Sequence, residues 1–190
     1  MRILVTGGVR SGKSRHAESL LLPGTPLETA AGGLLGERGH VTYLAAGPQR
    51  DDADWAARVA AHQERRPATW STVESTDAAS GLWEAEGPVL LDCLGTWLTA
   101  QLDEIEAWEA PEHHWVPALE QRVDDLEAAW RAAPFVVAVT NEVGWGLVSE
   151  HRSGRIFADR LGWLNQRIAA SADRVDLVVS GQVLTIKGAG

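Results

Sequence analysis

Between residues 7 and 14 the chain spells Gly7-x-x-x-x-Gly12-Lys13-Ser14, a phosphate-loop pattern in full. Its surroundings restrict what the chain can fold into. Arg2–Thr6 reads as a short buried strand, and Lys13–Leu22 reads as a helix. A strand leading through glycines into a helix turns backbone N–H groups inward and sets a helix N-terminus against an anion. Lys13 is then placed to reach the β- and γ-phosphates, and the Ser14 hydroxyl to ligate Mg2+. Lys13 and Lys187 are the only two lysines among 190 residues, so a lysine at this position is not compositional noise.

The rest of the chain repeats the strand–helix alternation. Ile3–Thr6, Val41–Ala45, Val89–Asp92, Phe135–Thr140 and Val175–Ser180 are short and apolar on both faces, as parallel strands covered on two sides are. Lys13–Leu22, Asp52–Arg65, Leu94–Trp108, Val116–Ala132 and Glu150–Ser171 carry helical patterns. The order predicts one doubly wound α/β domain over residues 1–190. Val183–Lys187 follows a Gly181-Gln182 turn and is expected to close an antiparallel hairpin at the sheet edge. Pro23–His40 reads as a loop, Ala68–Gly87 as a stretch without a strong element, and Ala110–Trp115 as a surface connection.

Composition excludes some functions. A net charge of -9 argues against a nucleic-acid surface. No apolar run is long enough to cross a membrane, and the chain enters its first strand without a leader pattern. Cys93 is the single cysteine, which leaves no intrachain disulfide and fits the cytoplasm.

Asp92 ends an apolar strand, where ligands collect in such sheets, and a carboxylate there holds Mg2+ directly or through water. Asp92-Cys93-Leu94-Gly95 also fits the Asp-x-x-Gly of GTP switch proteins, but their Asn-Lys-x-Asp element is missing. Asn141 and Glu142 follow another apolar strand and are candidates for contacting substrate or ordering Mg2+ water. His62, before Gln63-Glu64-Arg65-Arg66, has two readings on residues alone: an incidental histidine on a solvated helix face, or a nucleophile toward phosphorus flanked by guanidinium groups. His113 and His114 read as surface histidines, and His16 as packed or solvated. The nine tryptophans suit core or interface positions, with Trp145 and Trp163 as candidates for lining an apolar ligand or a subunit contact.

Four blocks together resemble one family, the bifunctional adenosylcobinamide kinase / adenosylcobinamide-phosphate guanylyltransferases. They are ILVTGGVRSGKSRHAE, DDADWAARVAAHQERRPATW, VLLDCLGTWLT, and TNEVGWGLV with RIFADRLGWLNQRIAASADRVDLVVSG. The resemblance implies a P-loop NTPase fold of the RecA-like kind, assembled as a homotrimer. It implies phosphorylation of adenosylcobinamide with ATP or GTP, then transfer of GMP from GTP to adenosylcobinamide phosphate through a guanylyl-histidine, with His62 as the nucleophile. It also implies nucleotide contacts from Gly7, Gly8, Val9, Arg10, Ser11, Gly12, Lys13 and Ser14, from Ala45 and Ala46, from Gln63, Glu64, Arg65 and Arg66, and from Glu74 and Asp92. The chain departs from the usual pattern at Ala46 and Gly95, where threonine is common, at Ser149, where proline is common, and in a longer 23–40 stretch. Two readings from other classes stand beside this one: a P-loop kinase of another small alcohol, and a regulatory NTPase that transfers no group.

Overall fold

A computed structural model describes residues 1–22, 25, 40–47 and 66–188. The expected helix Asp52–Arg65, with His62, Gln63, Glu64 and Arg65, lies outside the described residues, as does nearly all of the 23–40 stretch.

Seven strands form one sheet in the order β3-β2-β4-β5-β1-β6-β7. They are β1 (Arg2–Gly7), β2 (Thr42–Ala45), β3 (Ser71–Glu74), β4 (Val89–Asp92), β5 (Val136–Val139), β6 (Arg174–Val179) and β7 (Gln182–Lys187). All pair in parallel except β6 with β7, which close the expected antiparallel hairpin. Helices α1 (Lys13–Leu20), α2 (Ala78–Glu84), α3 (Leu94–Glu104), α4 (Glu112–Ala132) and α5 (Arg152–Ser171) complete the described elements.

Alternation along the strands sorts side chains into two layers. Ile3, Val5, Leu90, Val137 and Val139 face α1 and pack on its Ala17 and Leu20 and on Leu21 just beyond its end. Their neighbours Leu4, Leu91, Val136 and Ala138 face the other way, onto Leu98 of α3, Leu126 of α4 and Leu164 of α5. The sheet is therefore covered on both faces, and its functional edge is where the parallel strands end. Among the described residues, no helix is long and apolar enough to cross a membrane.

Several expectations need correction. The 68–87 stretch holds two elements, β3 and α2. β3 is an edge strand whose residues are exposed or half-buried, so it lacks the apolar signature of its neighbours. α2 buries only Ala78 and Leu82, and its start is fixed by Asp77, which accepts from Ser80 N–H at 3.0 Å and Ser80 Oγ at 2.7 Å. Ala110–Trp115 is not a simple connection: α4 begins at Glu112, and Trp115 is buried in its first turn. The exposed His113 and His114 belong to that turn, and the helix runs on through Pro117 because Leu119, Val123 and Leu126 are buried beneath it. α3 stops at Glu104 rather than Trp108, since Glu106 takes a left-handed backbone with φ of 52°. α1 ends at Leu20 and α5 starts at Arg152, each two residues inside the expected limits.

Trp97, Trp115 and Trp130 are core residues. Trp163 is half-buried, packed against the core with the Arg167 guanidinium 5.2 Å from its ring centroid. Trp145 is 69% exposed.

Candidate nucleotide-binding and transfer site

The phosphate loop joins β1 to α1 at the carboxyl edge of the sheet. Two residues of it have left-handed backbones, Arg10 with φ of 57° and Gly12 with φ of 99°. Successive turns of this kind direct N–H groups into a common hollow. Gly12 is required by its backbone: a φ of 99° disfavours any side chain, although a Cβ there would meet only ordinary contact with the Cα of Gly181 at 3.4 Å. Lys13 is 9% exposed, and its Nζ donates to the Gly8 carbonyl at 3.1 Å. Burial pulls its pKa down, while the nearby Cys93 and Asp92 side chains push it up. Ser14, the next residue, is half-buried at the helix start. Gly8, Val9 and Arg10 lie at the solvent side of the loop.

Asp92 ends β4 and faces the loop across one intervening strand, β5. In register, Asp92 sits beside Ala45 of β2, and Ala45 sits beside Glu74 of β3. Three of the expected nucleotide residues thus form a row along the sheet edge. Ala46, the next along, is fully buried, and its N–H donates to the Asp92 carbonyl at 3.3 Å. Tyr43, which the sequence reading passed over, donates its hydroxyl to Asp92 Oδ2 at 3.1 Å. The Arg66 guanidinium lies 3.5 Å from the Tyr43 ring centroid and donates to Thr72 Oγ1 at 3.1 Å. Burial and then the Asp92 charge push the Tyr43 phenol far above its ordinary range, so it remains a donor to the carboxylate at any working pH.

β5 delivers Asn141 and Glu142 to the gap between the loop and Asp92. Glu142 N–H donates to the Gly7 carbonyl at 3.1 Å, and Glu142 Oε1 accepts from Thr6 Oγ1 at 2.7 Å. Asn165 of α5 holds this segment from behind. Its Nδ2 donates to the Asn141 carbonyl at 3.1 Å, and its Oδ1 accepts from Thr140 Oγ1 at 2.6 Å. A carboxylate is therefore fixed beside the phosphate loop at the end of a neighbouring strand.

The C-terminal hairpin props up the loop. Gly181 N–H donates to the Ser11 carbonyl at 2.8 Å, and the Val178 carbonyl lies so close to Gly7 that a Cβ there would collide with it. His16 of α1 pairs with Asp176 of β6, so it is neither simply packed nor solvated as expected. A charged residue inside the otherwise apolar run Val175–Val179 was the available signal for this contact. Cys93 is half-buried, and desolvation with the neighbouring Asp92 charge pushes its thiol pKa up, which leaves it a poor nucleophile.

A family model described as "Cobinamide kinase / cobinamide phosphate guanyltransferase" matches residues 3–186. The chain belongs to this family. It is 41% identical to the bifunctional adenosylcobalamin biosynthesis protein CobU of Salmonella typhimurium strain LT2, over 98% of this chain and 100% of that protein. The protein of the same name from Escherichia coli strain K12 is also 41% identical, with the same coverage. The bifunctional adenosylcobalamin biosynthesis protein CobP of Pseudomonas aeruginosa is 34% identical over 99% of this chain and 98% of that protein. In this cobinamide kinase / cobinamide phosphate guanyltransferase the P-loop NTPase fold sets three groups along one edge: the loop with Lys13, the Asp92–Tyr43 pair, and the Thr6–Glu142 pair.

Proposed function

We propose that this chain catalyses two successive transfers, phosphorylation of adenosylcobinamide and guanylylation of the phosphate so formed, in one domain spanning residues 1–190. The observation that carries the reading is the placement of Glu142, locked to Thr6 and Gly7, between the phosphate loop and Asp92. In the first step the substrate hydroxyl oxygen bonds to the γ-phosphorus of ATP or GTP. The bond from that phosphorus to the β-bridging oxygen breaks, and the nucleoside diphosphate leaves. Glu142 takes the hydroxyl proton. Lys13 and the loop N–H groups hold the phosphate oxygens as charge moves onto the leaving group.

In the second step an imidazole nitrogen of His62 bonds to the α-phosphorus of GTP and pyrophosphate leaves. A phosphate oxygen of adenosylcobinamide phosphate then displaces the imidazole, giving adenosylcobinamide-GDP. Gln63, Glu64, Arg65, Arg66, Glu74, Ala45 and Ala46 belong to the nucleotide's surroundings in this reading. Ser14 and Asp92 offer a hydroxyl and a carboxylate, the hard oxygen donors that suit Mg2+ shared with phosphates and water. When bound, Mg2+ neutralises triphosphate charge. A homotrimer in the cytoplasm completes the reading.

Intact-mass measurement after incubation with GTP and Mg2+ tests it. One acid-labile guanylyl group per chain is expected, lost in His62→Ala. Absence of the adduct, or its persistence in that variant, overturns the nucleotidyl-transfer step.

A further inference from the structure

Directly after Glu142 the chain runs Val143-Gly-Trp-Gly-Leu-Val148, six residues without a charge. Leu147 is fully exposed, Val148 is 81% exposed, and Trp145 stands well clear of the surface. Around Gly144 and Gly146 there is open space on every side a Cβ would occupy. The ends of the loop are nevertheless tied. Glu142 N–H bonds to Gly7, and beyond the loop the Ser149 Oγ accepts from His151 N–H at 3.2 Å while its carbonyl accepts from Arg155 at 3.0 Å. Val9, in the phosphate loop itself, is 77% exposed. An anchored loop that lifts an indole and aliphatic groups into water beside a reaction centre is unfavourable unless something covers them.

We propose that residues 143–148 are the acceptor platform, on which the macrocyclic part of the corrinoid substrate rests while its hydroxyl or phosphate arm reaches the phosphate loop. This deepens the functional reading above and rests on it. Position favours this occupant. The loop rises from β5 and leads into α5, on the face opposite α1, so it stands across the sheet edge from the helix that carries the phosphate loop. The nucleotide residues Asp92, Ala45 and Glu74 run away from it along β4, β2 and β3. Chemistry agrees. A corrin has broad apolar faces, a rim of neutral amides, and a short arm ending in the hydroxyl that receives phosphate. Such a ligand is recognised by indole stacking and aliphatic contact, with the indole N–H as a donor to an amide carbonyl, and not by ion pairs. The second cluster of exposed aliphatics, Val183, Leu184 and Ile186 on β7, lies at the far rim of the sheet and is a separate surface.

The test is steady-state kinetics of the Trp145→Ser/Leu147→Ser double variant of the full chain. Both side chains are exposed, so the fold tolerates the change. The KM for adenosylcobinamide in phosphorylation, and for adenosylcobinamide phosphate in guanylylation, should each rise by about tenfold or more, the scale of losing a buried indole and leucine. The KM for GTP should move by less than about twofold. Unchanged corrinoid KM values overturn the proposal. So does dissociation of the variant in sedimentation velocity, which would make the loop a contact between copies of the chain. A wild-type protein that phosphorylates no corrinoid would refute the functional reading, and the platform with it.

Discussion

His16 Nε2 stands 2.7 Å from Asp176 Oδ2, joining the helix that begins at the phosphate loop to a strand of the C-terminal hairpin. Asp176 is wholly buried, and its other oxygen accepts from Arg174 Nε and Thr185 Oγ1, each at 2.8 Å. One carboxylate thus ties together α1, β6 and β7. His16 lies one turn beyond Lys13, so this tie bears on the orientation of the helix that carries Lys13.

Replacing Asp176 by Ala leaves Arg174, Thr185 and His16 without their shared acceptor. The loss should destabilise the protein by about 3 kcal/mol. A lower urea midpoint with an unchanged slope is the expected result. A midpoint within error of wild type would show that the cluster contributes little.

The same carboxylate predicts an acid dependence. Burial alone would raise the Asp176 pKa, but the hydrogen bonds from His16, Arg174 and Thr185 outweigh it and hold the value at about 2, against an ordinary 3.8. A folded-state pKa below the unfolded one contributes stability that is complete above the unfolded value and is lost as pH falls through the folded one. The contribution is roughly 2 kcal/mol. Urea midpoints of wild type and Asp176→Asn should therefore differ above about pH 4 and converge toward pH 2. A gap that stays constant with pH would contradict the assignment.

Lys13→Met keeps most of the buried side-chain volume and removes the charge. Both transfers should slow by on the order of a hundredfold or more, with thermal stability kept. Full guanylylation activity in this variant would place the GTP triphosphate away from the loop.

Glu142→Gln separates the two chemistries. The alcohol must lose a proton to accept phosphate, whereas the phosphate acceptor of the second step is already an anion. Phosphorylation of adenosylcobinamide should fall by about a hundredfold. GMP transfer onto adenosylcobinamide phosphate supplied ready-made should stay within a few-fold of wild type. Equal loss of both activities would make Glu142 a support for the loop and not a base.

How much was legible in advance depends on whether a residue's role is local. The phosphate loop, the buried strands and the closing hairpin follow from spacing and apolarity alone, so Gly7–Ser14, Asp92 and the β6–β7 pair stand where the sequence places them. β3 was missed because an edge strand is half-wet and carries polar residues. α4 starts earlier than its pattern because Trp115, not the preceding histidines, decides the first turn. The pairs Thr6–Glu142, Tyr43–Asp92 and His16–Asp176 join residues 136, 49 and 160 positions apart, and no local pattern contains them.

The sequence by itself determined that this chain holds a phosphate loop in a parallel α/β sheet, because short-range backbone geometry and hydrophobic period are written in consecutive residues. It also determined the family, through motifs kept in order along the chain. Only the tertiary structure decided which carboxylate reaches the loop and what fixes it. Strand order sets those neighbours: β5 enters between β1 and β4, bringing Glu142 against Thr6 and Gly7, while β6 places Asp176 beneath His16. Strand order is chosen by packing both faces of the sheet at once, a property of the whole chain that no single segment encodes.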